Sequence, residues 1–108
     1  MKYGHTGVEL LENILDKKLL DKLETFANLS EEDITITENG FKFEFDRSLK
    51  ANFCRVVRYH DNVIVEFRNR TDNLIEGTMD TLVSEKIIKP QEFKDVFEDV
   101  TGIYLSWD

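Results

Sequence analysis

The sequence is poor in cysteine, proline and histidine: it has one Cys, one Pro and two His in 108 residues. Because a single cysteine cannot form a disulfide within the chain, we expect a hydrophobic core to hold the fold and the cytoplasm to be the compartment. Residues 1–6 lack the apolar segment of a signal peptide, and Glu9, Glu12 and Asp16 interrupt the first apolar stretch. The sequence therefore predicts neither a secretory leader nor a transmembrane helix.

Basic residues are outnumbered, with 14 Lys and Arg against 22 Asp and Glu and a formal net charge of −8. Proteins that bind duplex nucleic acid or anionic lipid need a cationic surface. We therefore expect no direct nucleic-acid binding and no membrane association. The charge favours a basic protein partner, because opposite charge accelerates encounter.

Motifs for catalysis or cofactor binding are also lacking. The sequence has no CxxC, no HxxxH, no EF-hand loop and no glycine-rich phosphate loop, so we expect no metal, no cofactor and no enzymatic activity. Cys54 and His60 could form a nucleophile–base pair only if they were in contact. Several residues of one strand, at roughly 3.3 Å each, separate them, so Cys54 is interpreted as a half-buried strand residue.

The composition, with 41% hydrophobic and 33% charged residues, is typical of one globular domain spanning residues 1–108. Residues 7–28 are predicted to form a helix, introduced by a capping box between Thr6 and Glu9. Apolar residues recur there every three or four positions. The stripe consists of Val8, Leu11, Leu15, Leu19, Leu23 and Phe26, widened by Ile14 and Leu20.

The pattern then alternates, which predicts two hairpins. Asn39-Gly40 is typical of a two-residue turn and would pair Ile36 with Phe43 and Ile34 with Phe45. Strands at 52–59 and 63–69 follow. We favour a three-residue loop at 60–62, which would pair Val57 with Val65; the alternative, a turn at Asp61-Asn62, would place Val56 inward.

The C-terminal third is predicted to be mainly helical. Residues 70–77 stay unassigned. Met79, Leu82, Val83 and Ile87 have helical spacing after a Thr78 cap, and a further helix begins at Pro90 and ends at Gly102. Residues 103–107 alternate like a short strand. The order α-β-β-β-β-α-α-β predicts an α+β two-layer sandwich: an antiparallel meander of four strands plus a short C-terminal strand, covered by an N-terminal helix and one or two C-terminal helices.

The candidate binding residues are acidic. Neighbouring carboxylates on the last predicted helix repel one another. Asp95, Glu98 and Asp99 are also expected to lie toward its C-terminus, where the macrodipole disfavours anions, and this suggests a functional role. The simpler interpretation is a solubilising face. The candidates are Glu92, Asp95, Glu98 and Asp99, together with Glu31, Glu32 and Asp33.

These features favour a non-catalytic, acidic inhibitor or adaptor that binds a basic protein. An antagonist of a nucleic-acid-handling enzyme, encoded by a phage or mobile element and acting by nucleic-acid mimicry as anti-CRISPR or anti-restriction proteins do, is one such class. An immunity protein or secretion-type chaperone with one client is the alternative, and a small enzyme is the second alternative. A homodimer is compatible with each.

Overall fold

The computed structural model describes residues 5–73, 75 and 77–105. The chain forms three α-helices and five strands, with short 3-10 helices at Glu31–Asp33 and Pro90–Glu92. The helices are α1 (His5–Ile14), α2 (Lys17–Phe26) and α3 (Phe93–Thr101); the strands are β1 (Ile34–Ile36), β2 (Gly40–Glu44), β3 (Phe53–Tyr59), β4 (Asn62–Asn73) and β5 (Gly77–Ile88).

The strands form one antiparallel meander in the order β1-β2-β3-β4-β5, with helices before and after it in the chain. The predicted α+β class is confirmed, although the element order is α-α-β-β-β-β-β-α. Among the described residues, no helix has the length and apolar character needed to cross a bilayer.

The predicted helix at 7–28 is two helices. Asp16 adopts an extended conformation (φ −67°, ψ 171°), and its Oδ1 accepts a 2.8 Å hydrogen bond from the Leu19 amide. Aspartate is a preferred N-cap because its short side chain satisfies an amide that has no partner within the helix. The chain therefore ends α1 at Ile14 and begins α2 at Lys17.

The first hairpin has a register two residues away from the predicted one. Ile36 lies opposite Phe41 and Ile34 opposite Phe43. A shift of two keeps every side chain on its predicted face, because strand side chains alternate with period two. Gly40 is required for the close packing of β2 on β3 rather than for the turn. A Cβ there would lie 1.9 Å from the Val56 carbonyl oxygen on β3.

The second hairpin turns at His60-Asp61, since Tyr59 pairs with Asn62. His60 has φ 56°, a left-handed conformation in which histidine is enriched among non-glycine residues. The favoured three-residue loop was wrong. Val56 faces inward and is fully buried, as the shorter turn predicts, but it pairs with Val65 because the turn begins at His60, one residue before Asp61.

The helix predicted after Thr78 is instead the strand β5, which pairs with β4 along its whole length. Residues 70–73, left unassigned from sequence, extend β4. The described residues after α3, 103–105, form no strand, but Ile103 and Leu105 are buried and Tyr104 is exposed as alternation predicts. Trp107 lies outside the described residues.

The core lies between the helices and one face of the sheet. Phe97 of α3 is its centre, with ring centroids 5.1 Å from Phe45, 5.9 Å from Phe67 and 6.0 Å from Phe93. Aromatic rings at these distances add to the free energy gained from burial. The buried residues form a single cluster to which helices α1, α2 and α3 and strands β2, β3 and β4 all contribute.

Candidate interaction surfaces

Three of the four candidate carboxylates around α3 have partners within the chain. Glu92 Oε1 accepts a 2.8 Å hydrogen bond from the Lys89 amide. Glu98 pairs with Lys94 at 3.4 Å and accepts a 2.6 Å hydrogen bond from the Leu105 amide. These contacts give Glu92 and Glu98 a role in stabilising the ends of the helical segment.

Asp99 and Asp95 have no role in capping the helical segment. Asp99 Oδ2 lies 3.8 Å from Lys86 Nζ of β5, a surface pair that contributes little to stability. Asp95 is exposed, and it lies in the first turn of α3. The macrodipole favours an anion there, so the expectation that Asp95 opposes the dipole was wrong.

The second candidate group forms the 3-10 helix at Glu31–Asp33. Asp33 Oδ2 accepts a 3.1 Å hydrogen bond from the Ser30 amide, and Ser30 Oγ accepts one from the Glu32 amide at 3.3 Å. This reciprocal capping explains the position of Asp33. The carboxylates of Glu31 and Glu32 are exposed.

The two acidic groups lie at opposite edges of the sheet. The segment Glu31–Asp33 leads directly into β1, whereas Asp99 pairs with Lys86 of β5. Strands β1 and β5 are four strand spacings apart, which is roughly 19 Å at about 4.8 Å per spacing. The candidate residues therefore form two separate anionic regions rather than one site.

The helical segments as a whole nonetheless carry most of the net negative charge. Residues 5–33 carry eight acidic and three basic side chains, and residues 89–101 carry four acidic and two basic ones. The five strands carry six basic and five acidic side chains. The helical segments thus hold a net charge of −7 and the strands +1, and eleven of those twelve helical-segment carboxylates belong to exposed residues.

The opposite face of the sheet carries a charge network that sequence reasoning missed. Glu66, which is buried, pairs with Arg68, and Arg68 also contacts Asp80 at 3.2 Å. Arg70 contacts Asp80 at 3.5 Å and stacks over the Phe53 ring at 4.8 Å. Arg68 and Arg70 are therefore paired with carboxylates of their own sheet.

An apolar groove of about 340 Å³ lies between α1, α2 and the outer edge of β1. It forms because the chain changes direction at Asp16 and because β1 has only three residues. Its lining combines five apolar side chains and two carboxylates: Leu11, Leu15, Leu20, Ile34, Ile36, Glu12 and Glu31. The predicted assignment of Leu15 to the core is confirmed, since it is buried in the core cluster, and Leu11 and Leu20 are partly buried against that cluster. The feature of the sequence that could have indicated this groove is the width of the apolar stripe, which includes Leu20.

A second cleft, of about 450 Å³, separates α2 from the start of α3. Three lysines contribute to its lining: Lys18, Lys22 and Lys94. Lys94 pairs with Glu98 at 3.4 Å. The clefts on either side of α2 therefore differ in the sign of their charge.

The residues considered for catalysis lie apart from these surfaces. Cys54 is fully buried on the core face of β3, rather than half-buried, and burial raises the pKa of its thiol well above the ordinary value. A thiol held protonated is a poor nucleophile. His60 is exposed in the β3–β4 turn, where its ring packs edge-on against Tyr59. Within the described part of the chain, no group of three or more His, Cys, Asp or Glu could hold a metal ion.

Comparisons with known proteins give no relative: no family model matches the chain, and no curated protein or solved structure matches it.

Proposed function

We propose that this protein is a non-catalytic binding protein that docks its acidic helical layer on a basic surface of another protein. The observation that carries the proposal is the separation of charge, with a net −7 on the helical segments against +1 on the strands. A purely solubilising role gives no reason for one layer of the fold to be so much more negative than the other. An anionic layer accelerates encounter with a cationic groove and aligns the protein before contact.

The partner class that fits is a nucleic-acid-handling protein, because its binding groove must be cationic to replace phosphate counterions. Exposed carboxylates such as Glu32 and Asp95 would occupy phosphate positions, so the protein would act as an inhibitor by competition. An antagonist from a phage or mobile element, of the anti-CRISPR or anti-restriction kind, is the biological setting we propose. A single buried thiol suits the reducing cytoplasm as the place of action.

Charge reversal tests this proposal. The variant Glu24→Lys/Glu32→Lys/Asp95→Lys changes three exposed helical-segment residues that the structure does not use for capping. The matched control, Glu44→Lys/Asp61→Lys/Glu85→Lys, has the same net charge but places the changes on the strands and the β3–β4 turn. Each protein is used to capture partners from nuclease-treated lysate at low and then high salt, with identification by mass spectrometry.

The expected result is a basic nucleic-acid-binding protein that the wild type and the strand variant retain at low salt and release at high salt. The helical-layer variant should lose it, and added DNA should compete with the wild type. Equal loss in both variants would show that net charge alone matters and would contradict the proposal. So would a partner that resists high salt and is kept by all three proteins.

A second candidate, an immunity protein or chaperone with one client, is favoured by β5. This edge strand has twelve residues and exposes the apolar side chains Met79, Leu82, Val83 and Ile87 by 39–57%. A long apolar edge can accept a strand from another chain. A salt-resistant partner that is lost when Leu82→Lys is introduced would favour this function over the first.

A further inference from the structure

We infer that the groove between α1, α2 and β1 is a docking site for a basic amphipathic helix of the partner. The inference rests on the proposed function, because it takes the acidic helical layer as the side that meets the partner. It adds the place of contact and the chemistry of the contacting segment.

The lining of the groove favours a ligand whose apolar side chains are flanked by cationic ones. Five of its seven lining residues are apolar, and Ile36 remains 39% exposed. Its two polar residues, Glu12 and Glu31, are both exposed carboxylates. No basic residue is among the described residues that line it, in contrast to the cleft on the other side of α2, where Lys18, Lys22 and Lys94 would repel the same ligand.

A helix fits this groove better than a strand. β1 has three residues, so its free edge offers about 10 Å of backbone to an added strand and few hydrogen bonds. The groove instead presents side chains from α1, α2 and β1, which is the arrangement that receives one apolar face of a helix. Lysine or arginine beside that face would then lie near Glu12 and Glu31.

Close packing of α1 against the β1–β2 connection fixes the position of Ile36 and keeps the groove open. Gly7 of α1 packs so closely on the β1–β2 connection that a Cβ there would lie 2.2 Å from the Thr37 carbonyl oxygen and 2.8 Å from Ile36 Cγ2. The side chain of Ile36 therefore lies against α1 and is exposed over part of its surface without an element covering it. A preformed apolar surface of this kind costs little ordering on binding.

Binding of synthetic peptides tests the inference directly. The probe is a fluorescein-labelled peptide with leucines on one helical face and lysines on the other. The first control peptide has the same composition in scrambled order, and the second has glutamate in place of lysine. The protein variants are Ile36→Ser and Glu12→Lys/Glu31→Lys, matched by Leu82→Ser and Glu44→Lys/Glu85→Lys on the sheet. Affinity is measured by fluorescence anisotropy, and the binding site is mapped by amide chemical-shift changes in the wild type.

The amphipathic basic peptide should bind the wild type at least about tenfold more tightly than either control peptide. Ile36→Ser should weaken it about tenfold, the effect of losing most of one buried isoleucine side chain. Glu12→Lys/Glu31→Lys should weaken it by a similar factor at low salt, whereas the two sheet variants should bind as the wild type does. Shift changes should centre on Leu11, Leu20 and Ile36. The shift map keeps the test decisive if Ile36→Ser does not fold.

Equal binding of the scrambled peptide, shift changes centred on β5, or no binding of any peptide would each overturn the inference. These outcomes are separable from failure of the proposed function, because the capture experiment uses Glu24, Glu32 and Asp95, none of which lines the groove. A captured basic partner whose binding is insensitive to Ile36→Ser and to Glu12→Lys/Glu31→Lys would leave the acidic layer as the binding surface and reject the groove.

Discussion

The amide of Leu105 donates a 2.6 Å hydrogen bond to Glu98 Oε2, which joins the segment after α3 to the last turns of that helix. Gly102 makes this contact possible: with φ 77° it ends the helix in the left-handed conformation and turns the chain back toward Glu98. The prediction that the last helix ends at Gly102 is thereby confirmed. The Glu98 carboxylate, which the helix dipole disfavours, is thus held by its hydrogen bond to Leu105 and its ion pair with Lys94.

Glu98→Ala should therefore lower the free energy of unfolding by about 1.5–3 kcal/mol, the range for a hydrogen bond to a charged group. Asp99→Ala is the matched control on the same helix. Its pair with Lys86 is long and exposed, so we expect a change within about 0.5 kcal/mol. Urea unfolding followed by circular dichroism measures both. Equal effects at the two positions would show that the Leu105 contact contributes nothing.

Gly40→Ala should be among the most destabilising single substitutions, at about 3 kcal/mol or more. The new Cβ would lie 1.9 Å from the Val56 carbonyl oxygen, so relief requires separating β2 from β3. Gly102→Ala is the comparison, because it meets no atom within 4 Å and suffers only a strained φ, at about 1 kcal/mol. Thermal unfolding of both variants checks the order, and a milder effect at Gly40 than at Gly102 would contradict it.

The faces of β1 and β2 could be predicted from alternation, whereas that of β3 depended on which turn forms and β5 was not predicted as a strand. The predicted register was wrong by two residues, but Phe41 and Phe43 were still assigned to the correct, buried face. A shift of two does not change the side of the strand on which a residue lies. In β5 the partner of Phe67 is Ser84 and that of Arg68 is Leu82, a bulge that changes the phase of alternation at Val83. The apolar residues at 79, 82, 83 and 87 consequently fit a helical period better than a strand period.

The candidate carboxylates also divide into those whose exposure could be predicted from the sequence and those whose role could not. The exposure of Glu31 and Glu32 follows from an acidic run with no apolar residue in it, and that of Asp95 from the apolar stripe on the other side of α3. The structural role of Glu98 depends on where the chain goes after Gly102, which no periodicity records. The groove beside β1 depends on the break at Asp16, and that break was hidden because the apolar stripe continues through it.

Phe97→Ala should lower the free energy of unfolding by about 3–5 kcal/mol, since the side chain is fully buried and contacts three other aromatic rings. Val96→Ala is the neighbouring control; Val96 is partly buried at the edge of the core, and we expect about 1 kcal/mol. The measurement is chemical denaturation, in which the unfolding free energy of both variants should depend on denaturant concentration with the same slope. A Phe97→Ala protein as stable as Val96→Ala would mean that α3 does not pack on Phe45 and Phe67.

Cys54 should make the protein less stable at alkaline pH. Burial raises the pKa of its thiol well above the ordinary value in the folded state, so the unfolded chain loses the thiol proton first as pH rises. The folded state then binds more protons than the unfolded state, and the free energy of unfolding falls with pH above the unfolded pKa of about 8.5. Between pH 7 and 9.5 the loss is on the order of 1 kcal/mol, and the contribution is fully present well below the unfolded pKa.

Cys54→Ala supplies the control for this pH dependence. The variant should be less stable than the wild type at pH 7, because it leaves a small cavity, but its stability should decline less between pH 7 and 9.5. The folded wild type should also react with a thiol reagent only on unfolding, since the sulfur is inaccessible. Urea unfolding at a series of pH values measures the first effect. Parallel pH profiles for the wild type and Cys54→Ala, or rapid labelling of the folded protein, would show that the thiol is solvated and that β3 does not bury it.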